Sequence, residues 1–178
     1  MNKSQVIGEI MISQEEILLR AKEIASQITK DYAGESILLI GILRGAVPWM
    51  VDVMKHIDLD VEIDFMAVSS YGAATKSSGV VKINKDLDSD IEGKHIIIVE
   101  DIVDTGITLQ YLTGYLQNRQ PMSIKICALL DKPARRRAEI CADYIGFTVE
   151  DKFIVGYGLD FNQKYRQLPY ISCLAEDK

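Results

Sequence analysis

Apolar residues recur along this chain with two different spacings. From Ser13 to Ile28 they fall at Ile17, Leu18, Ala21, Ile24, Ala25 and Ile28, the three-and-four spacing of an amphipathic helix. Ser13-Gln-Glu-Glu16 ahead of them forms a capping box. Elsewhere they come as short continuous runs rich in β-branched residues, which predict strands buried on both faces. Such strands are expected over residues 36–42, 61–69, 80–83, 96–99 and 123–130, with shorter ones over 144–149, 153–155 and 170–174. A helix is expected from near Pro48, a residue suited to a first helical turn. Another follows Thr108 through Leu109, Leu112, Tyr115 and Leu116. Strands alternating with helices predict an α/β fold with a mostly parallel central sheet flanked by helices. No repeat, low-complexity tract or linker divides the chain, so residues 1–178 are expected to form a single domain.

The richest stretch for chemistry is Ile96–Leu109, IIIVEDIVDTGITL. Its apolar run is expected to stop at Glu100-Asp101, two adjacent carboxylates at a strand end. Asp104-Thr105-Gly106-Ile107-Thr108 then enters a helix. Gly106 permits positive φ or close approach to a ligand. Thr105 and Thr108 add hydroxyls, and the outward amides of a turn entering a helix form an anion site. Glu100 and Asp101 suit hydroxyl groups or a hard cation such as Mg²⁺. Phosphate at one end and a diol or metal at the other describe a ribose 5-phosphate site. Taken singly, Asp104 or Thr105 could instead cap the helix.

Other positions add to this picture. Arg44-Gly45 lies between a buried strand and a helix start, where an Arg serves either as a solvated turn charge or as an anion ligand. Ser70 and Tyr71 open a small-residue stretch reaching Gly79. It reads as a hairpin loop or as a lid over the site, Tyr71 closing it. Lys132, after the 123–130 strand, is well placed to meet a ligand. Arg135-Arg136-Arg137 reads as a solvated charged face, with phosphate or subunit contacts as the alternative. Gly156-Tyr-Gly158 is an incomplete dinucleotide loop with no helix behind it, and that reading is rejected.

Composition narrows the class. With 48% hydrophobic and 26% charged residues the chain reads as an ordinary soluble protein, without a signal core or a bilayer-length apolar run. A cytoplasmic location without membrane attachment is the expectation. Three scattered cysteines and two histidines suggest neither disulfides nor a zinc site. A net charge of −6 argues against nucleic acid as a partner.

The string VEDIVDTGITL resembles the phosphoribosyl pyrophosphate (PRPP) loop of the type I phosphoribosyltransferases. LRG at Leu43–Gly45, SSYG at Ser69–Gly72, DKP at Asp131–Pro133 and DKFIVGYGLDF at Asp151–Phe161 extend it to the hypoxanthine–guanine phosphoribosyltransferases over nearly the whole chain. The family often has Gly or Ser where this chain has Ala46.

The resemblance implies the family fold, with a small hood subdomain built from N-terminal residues and the segment from about 150 to 178. It implies a purine salvage enzyme that transfers phosphoribosyl from PRPP to hypoxanthine or guanine. Glu100 and Asp101 would meet the ribose hydroxyls and Mg²⁺, with Asp160 near a second Mg²⁺. Thr105, Gly106, Ile107 and Thr108 would bind phosphate, and Asp104 would accept the purine proton. Arg44, Gly45 and Arg166 would take pyrophosphate, and a cis peptide would join Leu43 to Arg44. Lys132, Phe153 and the Ile154 backbone would hold the purine, and Ser70-Tyr71 would close over the site. A homodimer or homotetramer is expected. Two alternatives stand beside this reading. A regulatory RNA-binding relative has only the triple Arg in its favour, with the net charge against it. A xanthine or pyrimidine enzyme is the other, and the pair Asp131-Lys-Pro and Asp151-Lys-Phe opposes a pyrimidine.

Overall fold

The computed structural model describes residues 7–70 and 81–174. Tyr71 and the stretch to Gly79, the expected lid, lie outside the described residues, and Ser70 is the last residue of β3. Six strands form one sheet in the order β4-β3-β2-β5-β6-β7: β2 (Ile37–Leu43), β3 (Val61–Ser70), β4 (Val81–Lys85), β5 (His95–Val103), β6 (Ser123–Asp131) and β7 (Tyr144–Thr148). All neighbours run parallel except the β3–β4 pair. Among the described residues no helix is long and apolar enough to cross a membrane.

Side chains alternate across the central strands, and each face gets its own helices. Ile37, Leu39, Ile97 and Val99 pack under α1 (Gln14–Asp31) and α2 (Val47–Met54). Leu38, Ile40, Ile96 and Ile98 pack under α3 (Ile107–Gln117) on the opposite face. That two-sided burial is why these strands read as unbroken apolar runs. The Ser13–Glu16 capping box of α1 forms as expected, each side chain taking the other residue's amide.

A second, three-stranded antiparallel sheet joins the two ends of the chain in the order β1-β9-β8. It consists of β1 (Ile7–Ile12), β8 (Ile154–Val155) and β9 (Ile171–Leu174). The sequence gives no signal for β1. Its ladder to β9 has two register shifts and its residues are mostly half-exposed, so pairing with a distant segment rather than local pattern makes it a strand.

One departure from the sequence expectation builds the site. β5 does not stop at Glu100-Asp101 but continues to Val103, because its ladder with β6 runs on to the Val103–Asp131 pair. Its ladder with β2 ends earlier, at Gly41–Val99, although β2 stays paired with β3 as far as Leu43–Ala67. The two central strands therefore part at their carboxyl ends. Successive connections also leave them towards opposite edges of the sheet, which is where open α/β sheets bind ligands.

Candidate functional site

The crevice has an acidic floor. Glu100 and Asp101 sit on β5 just beyond its last pairing with β2, both half-buried. Burial, and then the neighbouring charges of Asp101 and Asp104, push the Glu100 carboxyl well above the usual carboxylate range. Burial likewise pushes Asp101 up to about 6, against the opposing pull of the Ile102 amide at 2.7 Å and of the Arg166 charge. Carboxylates crowded in this way gain from a cation or from hydroxyl donors. Across the crevice Gly45 lies against Asp101. A Cβ on Gly45 would fall 1.6 Å from Asp101 Oδ2, so no side chain fits there.

Residues 104–108 form the turn into α3, and Gly106 is the N-cap, in the left-handed region at φ 77°. Neither Asp104 nor Thr105 caps the helix. Thr105 Oγ1 accepts only a long bond from the Ile107 amide, at 3.4 Å. The turn is held from behind through its carbonyls. Lys132 N–H donates to Val103 O at 2.9 Å, Arg136 Nε to Asp104 O at 3.0 Å, and the Arg137 and Ala138 amides to Thr105 O at 2.9 and 3.0 Å. In a planar trans peptide the N–H points opposite to the C=O. The amides of Asp104, Thr105 and Gly106 thus face the other way, away from the 132–138 segment. A cleft of about 30 Å³ runs along the turn, lined by Glu100, Ile102, Asp104, Gly106 and Thr108 among others.

Two arginines meet at the other wall. The Leu43–Arg44 peptide is cis. Arg44 Nη1 donates to Gln163 Oε1 at 3.4 Å, and Arg166 Nη2 donates to the same oxygen at 3.3 Å. Arg166 is fixed further by Asp160 at 2.7 Å and by Gly158 O at 2.6 Å. The segment carrying Asp160, Gln163 and Arg166 is docked on α2 by Tyr157, whose hydroxyl donates to Asp52 at 2.5 Å. Arg44-Gly45 and the Asp160–Arg166 segment are distant in sequence, and the fold gathers them here.

Lys132 follows β6 and is buried. Its ammonium donates to Lys152 O at 2.7 Å and lies 3.6 Å from Asp151, which also pairs with Arg135 at 2.6 Å. Phe153 is 56% exposed and meets Phe161 edge-on at 5.5 Å, just ahead of the buried residues 154–159. Ile154 is buried in the small sheet, paired with Cys173. Among the described residues no cluster of three or more metal-ligating side chains occurs. An oxygen-only pair of crowded carboxylates fits magnesium, which is usually held by one or two carboxylates and completed by substrate phosphates and water.

Two residues escape sequence reasoning. Arg136, expected as part of a solvated face, is half-buried and holds Asp131, Ile140 O and Asp104 O. Arg135 is tied to Asp151, and Arg135, Arg136 and Arg137 together line an open cavity beside Thr105. Gln163 is the second. Only the left-handed turn at Asn162 and Gln163, φ 50° and 64°, brings its amide between the arginines. Two successive positive-φ positions without glycine leave no sequence signal.

Comparison with known proteins agrees on one family. Residues 11–162 match the family model described as phosphoribosyl transferase domain. The chain is 51% identical to the hypoxanthine-guanine phosphoribosyltransferase of Streptococcus mutans over 97% of its own length and 96% of the relative's. To that of Bacillus subtilis it is 53% identical over 94% and 93%. A crystal structure of a hypoxanthine phosphoribosyltransferase from Staphylococcus aureus superposes with a TM-score of 0.92 at 48% identity, covering 95% of this chain and 92% of that one.

Proposed function

The chain belongs to the phosphoribosyltransferase family, in its hypoxanthine–guanine branch, and we propose how its residues share out the reaction. That reaction moves the 5-phosphoribosyl group from PRPP to hypoxanthine or guanine and gives IMP or GMP and pyrophosphate. A purine ring nitrogen attacks the anomeric carbon as pyrophosphate leaves, through a transition state with oxocarbenium character. The observation that carries the assignment is the parting of β2 and β5. It brings the basic turn after one strand and the acidic turn after the other to the two sides of one crevice.

The 5-phosphate rests on the amides turned outward at residues 104–108 and on the hydroxyls of Thr105 and Thr108. Glu100 and Asp101 accept from the ribose hydroxyls, and their negative charge favours a cationic sugar. Asp104 takes the proton released by the purine. Arg44, the Gly45 backbone and Arg166 receive pyrophosphate as its charge grows. Glu100 and Asp101 would hold one magnesium ion and Asp160 would lie near a second, and the metal would supply positive charge to the leaving pyrophosphate. Lys132 has donors only, so it suits a 6-oxygen and disfavours the amino group of adenine. Phe153 stacks on the ring, and the Ile154 backbone accepts from ring N–H or a 2-amino group. The β1-β9-β8 sheet acts as the hood over the base, and Ser70-Tyr71 as the lid. PRPP and the nucleotide are too charged to cross a bilayer, which supports a cytoplasmic location. An assembly of two or four copies belongs to the same reading.

Pyrophosphate release from PRPP and Mg²⁺, measured with hypoxanthine, guanine, xanthine, adenine and uracil separately, tests this. Activity is expected with the first two and not with adenine or uracil. Lys132→Gln should raise KM for the 6-oxopurines much more than KM for PRPP. Unchanged hypoxanthine and guanine kinetics in that variant would remove Lys132 from the base pocket.

A further inference from the structure

Gln163 has an unusual position for an exposed residue. Its Oε1 accepts from Arg44 and from Arg166 at 3.4 and 3.3 Å. An amide oxygen has two lone pairs, and here each faces a guanidinium from a different part of the chain. The backbone fixes the side chain's origin. Gln163 N–H donates to Asp160 Oδ2 at 2.7 Å, and its left-handed φ of 64° lies within the turn closed by the Phe161–Lys164 bridge. Asp160 also holds Arg166, so one carboxylate aligns the bridging residue and one of the two cations it bridges. Two guanidinium groups converging without an acceptor between them would repel. The amide oxygen supplies the partial negative charge that lets them stay together.

A pyrophosphate oxygen meets the same requirement with more charge. Bonds from a neutral amide at 3.3–3.4 Å are at the long, weak end of the hydrogen-bond range. Bonds from guanidinium to phosphate are shorter and about twice as strong. The arriving anion therefore displaces the amide, and the departing anion is replaced by it. We propose that Gln163 is an internal stand-in for a pyrophosphate oxygen, which holds Arg44 and Arg166 ready, yields to the ligand, and competes with it on the way out. Gln163 thereby sets the affinity for pyrophosphate and with it the ease of product release. This inference rests on the assignment of Arg44 and Arg166 to pyrophosphate.

Three replacements separate the stand-in from a merely structural turn residue. Gln163→Asn keeps an amide and tolerates the left-handed backbone, but its oxygen falls one carbon short of the arginines. Gln163→Ala removes the competitor altogether. Both should tighten pyrophosphate about three- to tenfold. Gln163→Glu offers the arginines a carboxylate of the same reach and should weaken pyrophosphate at least tenfold. The readout is calorimetric titration of the full-length enzyme with pyrophosphate at fixed Mg²⁺, next to KM for PRPP, which should follow it, and KM for hypoxanthine, which should not. Arg44→Ala and Arg166→Ala serve as controls and should weaken pyrophosphate. If they do while all three Gln163 variants leave it unchanged, or shift it in the same direction, the stand-in is wrong and the arginine assignment survives. If the arginine variants bind pyrophosphate normally, the assignment beneath the inference fails first.

Discussion

Replacing Gly45 by alanine would place a methyl group 1.6 Å from Asp101 Oδ2 and 2.6 Å from its Cγ, where ordinary contact begins at 3.4 Å. Something must retreat by close to 2 Å. The Asp101 side chain cannot swing away freely, because its Oδ1 accepts from the Ile102 amide at 2.7 Å and its charge is drawn to Arg166. The remaining route is displacement of the Arg44–Ala46 turn itself. Either movement disturbs a wall of the crevice. A misplacement of about 1 Å can cost about 10² in rate, so kcat/KM for PRPP should fall by at least about 10². Overpacking of this kind typically costs about 1–3 kcal/mol, or a fall in Tm of about 2–10 °C for a chain of this length. The assay is initial velocity with PRPP varied at saturating hypoxanthine, next to thermal unfolding. Repeating the substitution in an Asp101→Ala background isolates the clash, since most of the stability loss should vanish once the carboxylate is gone. Wild-type PRPP kinetics in Gly45→Ala, or equal losses of Tm in both backgrounds, would refute the reasoning.

Two further outcomes follow from the same geometry. Asp104→Asn keeps the side-chain shape and removes the basic oxygen, so turnover should fall by roughly 10²–10⁴ with little change in PRPP affinity; near-normal turnover would end Asp104's role as proton acceptor. Asp31 accepts from the Tyr144 hydroxyl at 2.6 Å and the bond holds its carboxyl below the usual value of 3.8, with Lys125 adding to the effect. A lowered folded-state value stabilises the fold above pH 3.8 and loses that contribution as pH falls through it. The urea midpoint should therefore drop more between pH 5 and pH 3 for the wild type than for Asp31→Asn, and parallel curves would mean that the Tyr144 bond contributes nothing.

The parts of the fold readable from sequence were those decided locally. Unbroken runs such as Ile37–Ile40 and Ile96–Val99 have one stable use, a strand covered on both faces, and Ser13-Gln-Glu-Glu16 has one use, a helix start. The turn from Asp104 to Thr108 was readable because its residue types suit a phosphate and its position follows a buried strand. What escaped was decided by distant partners. β1 exists through β9, and the last residues of β5 stay extended through β6 although Glu100 and Asp101 are poor strand formers. Arg136 looked like surface charge until the carbonyls it serves, more than 30 residues away, were brought to it. Gln163 depends on a backbone conformation that its own side chain does not announce.

The tethering of three consecutive carbonyls, Val103, Asp104 and Thr105, to the 132–138 segment has a consequence for how binding strength is distributed. A free loop that closes on a phosphate must surrender backbone freedom at the moment of capture, roughly 1–2 kcal/mol for each residue it orders. Here that loss is taken at folding, and under the proposed assignment three peptide planes would meet the phosphate already oriented. Phosphate capture would then depend on residues of the 132–138 segment that hold the turn from behind. Slackening Arg136 or Ala138 would restore the entropy of the turn and weaken the grip without removing a single contact. Lys132 links the two halves of the proposed site, since its amide holds the Val103 carbonyl while its ammonium reaches the Lys152 carbonyl beside Phe153, so a shift in one half is passed to the other.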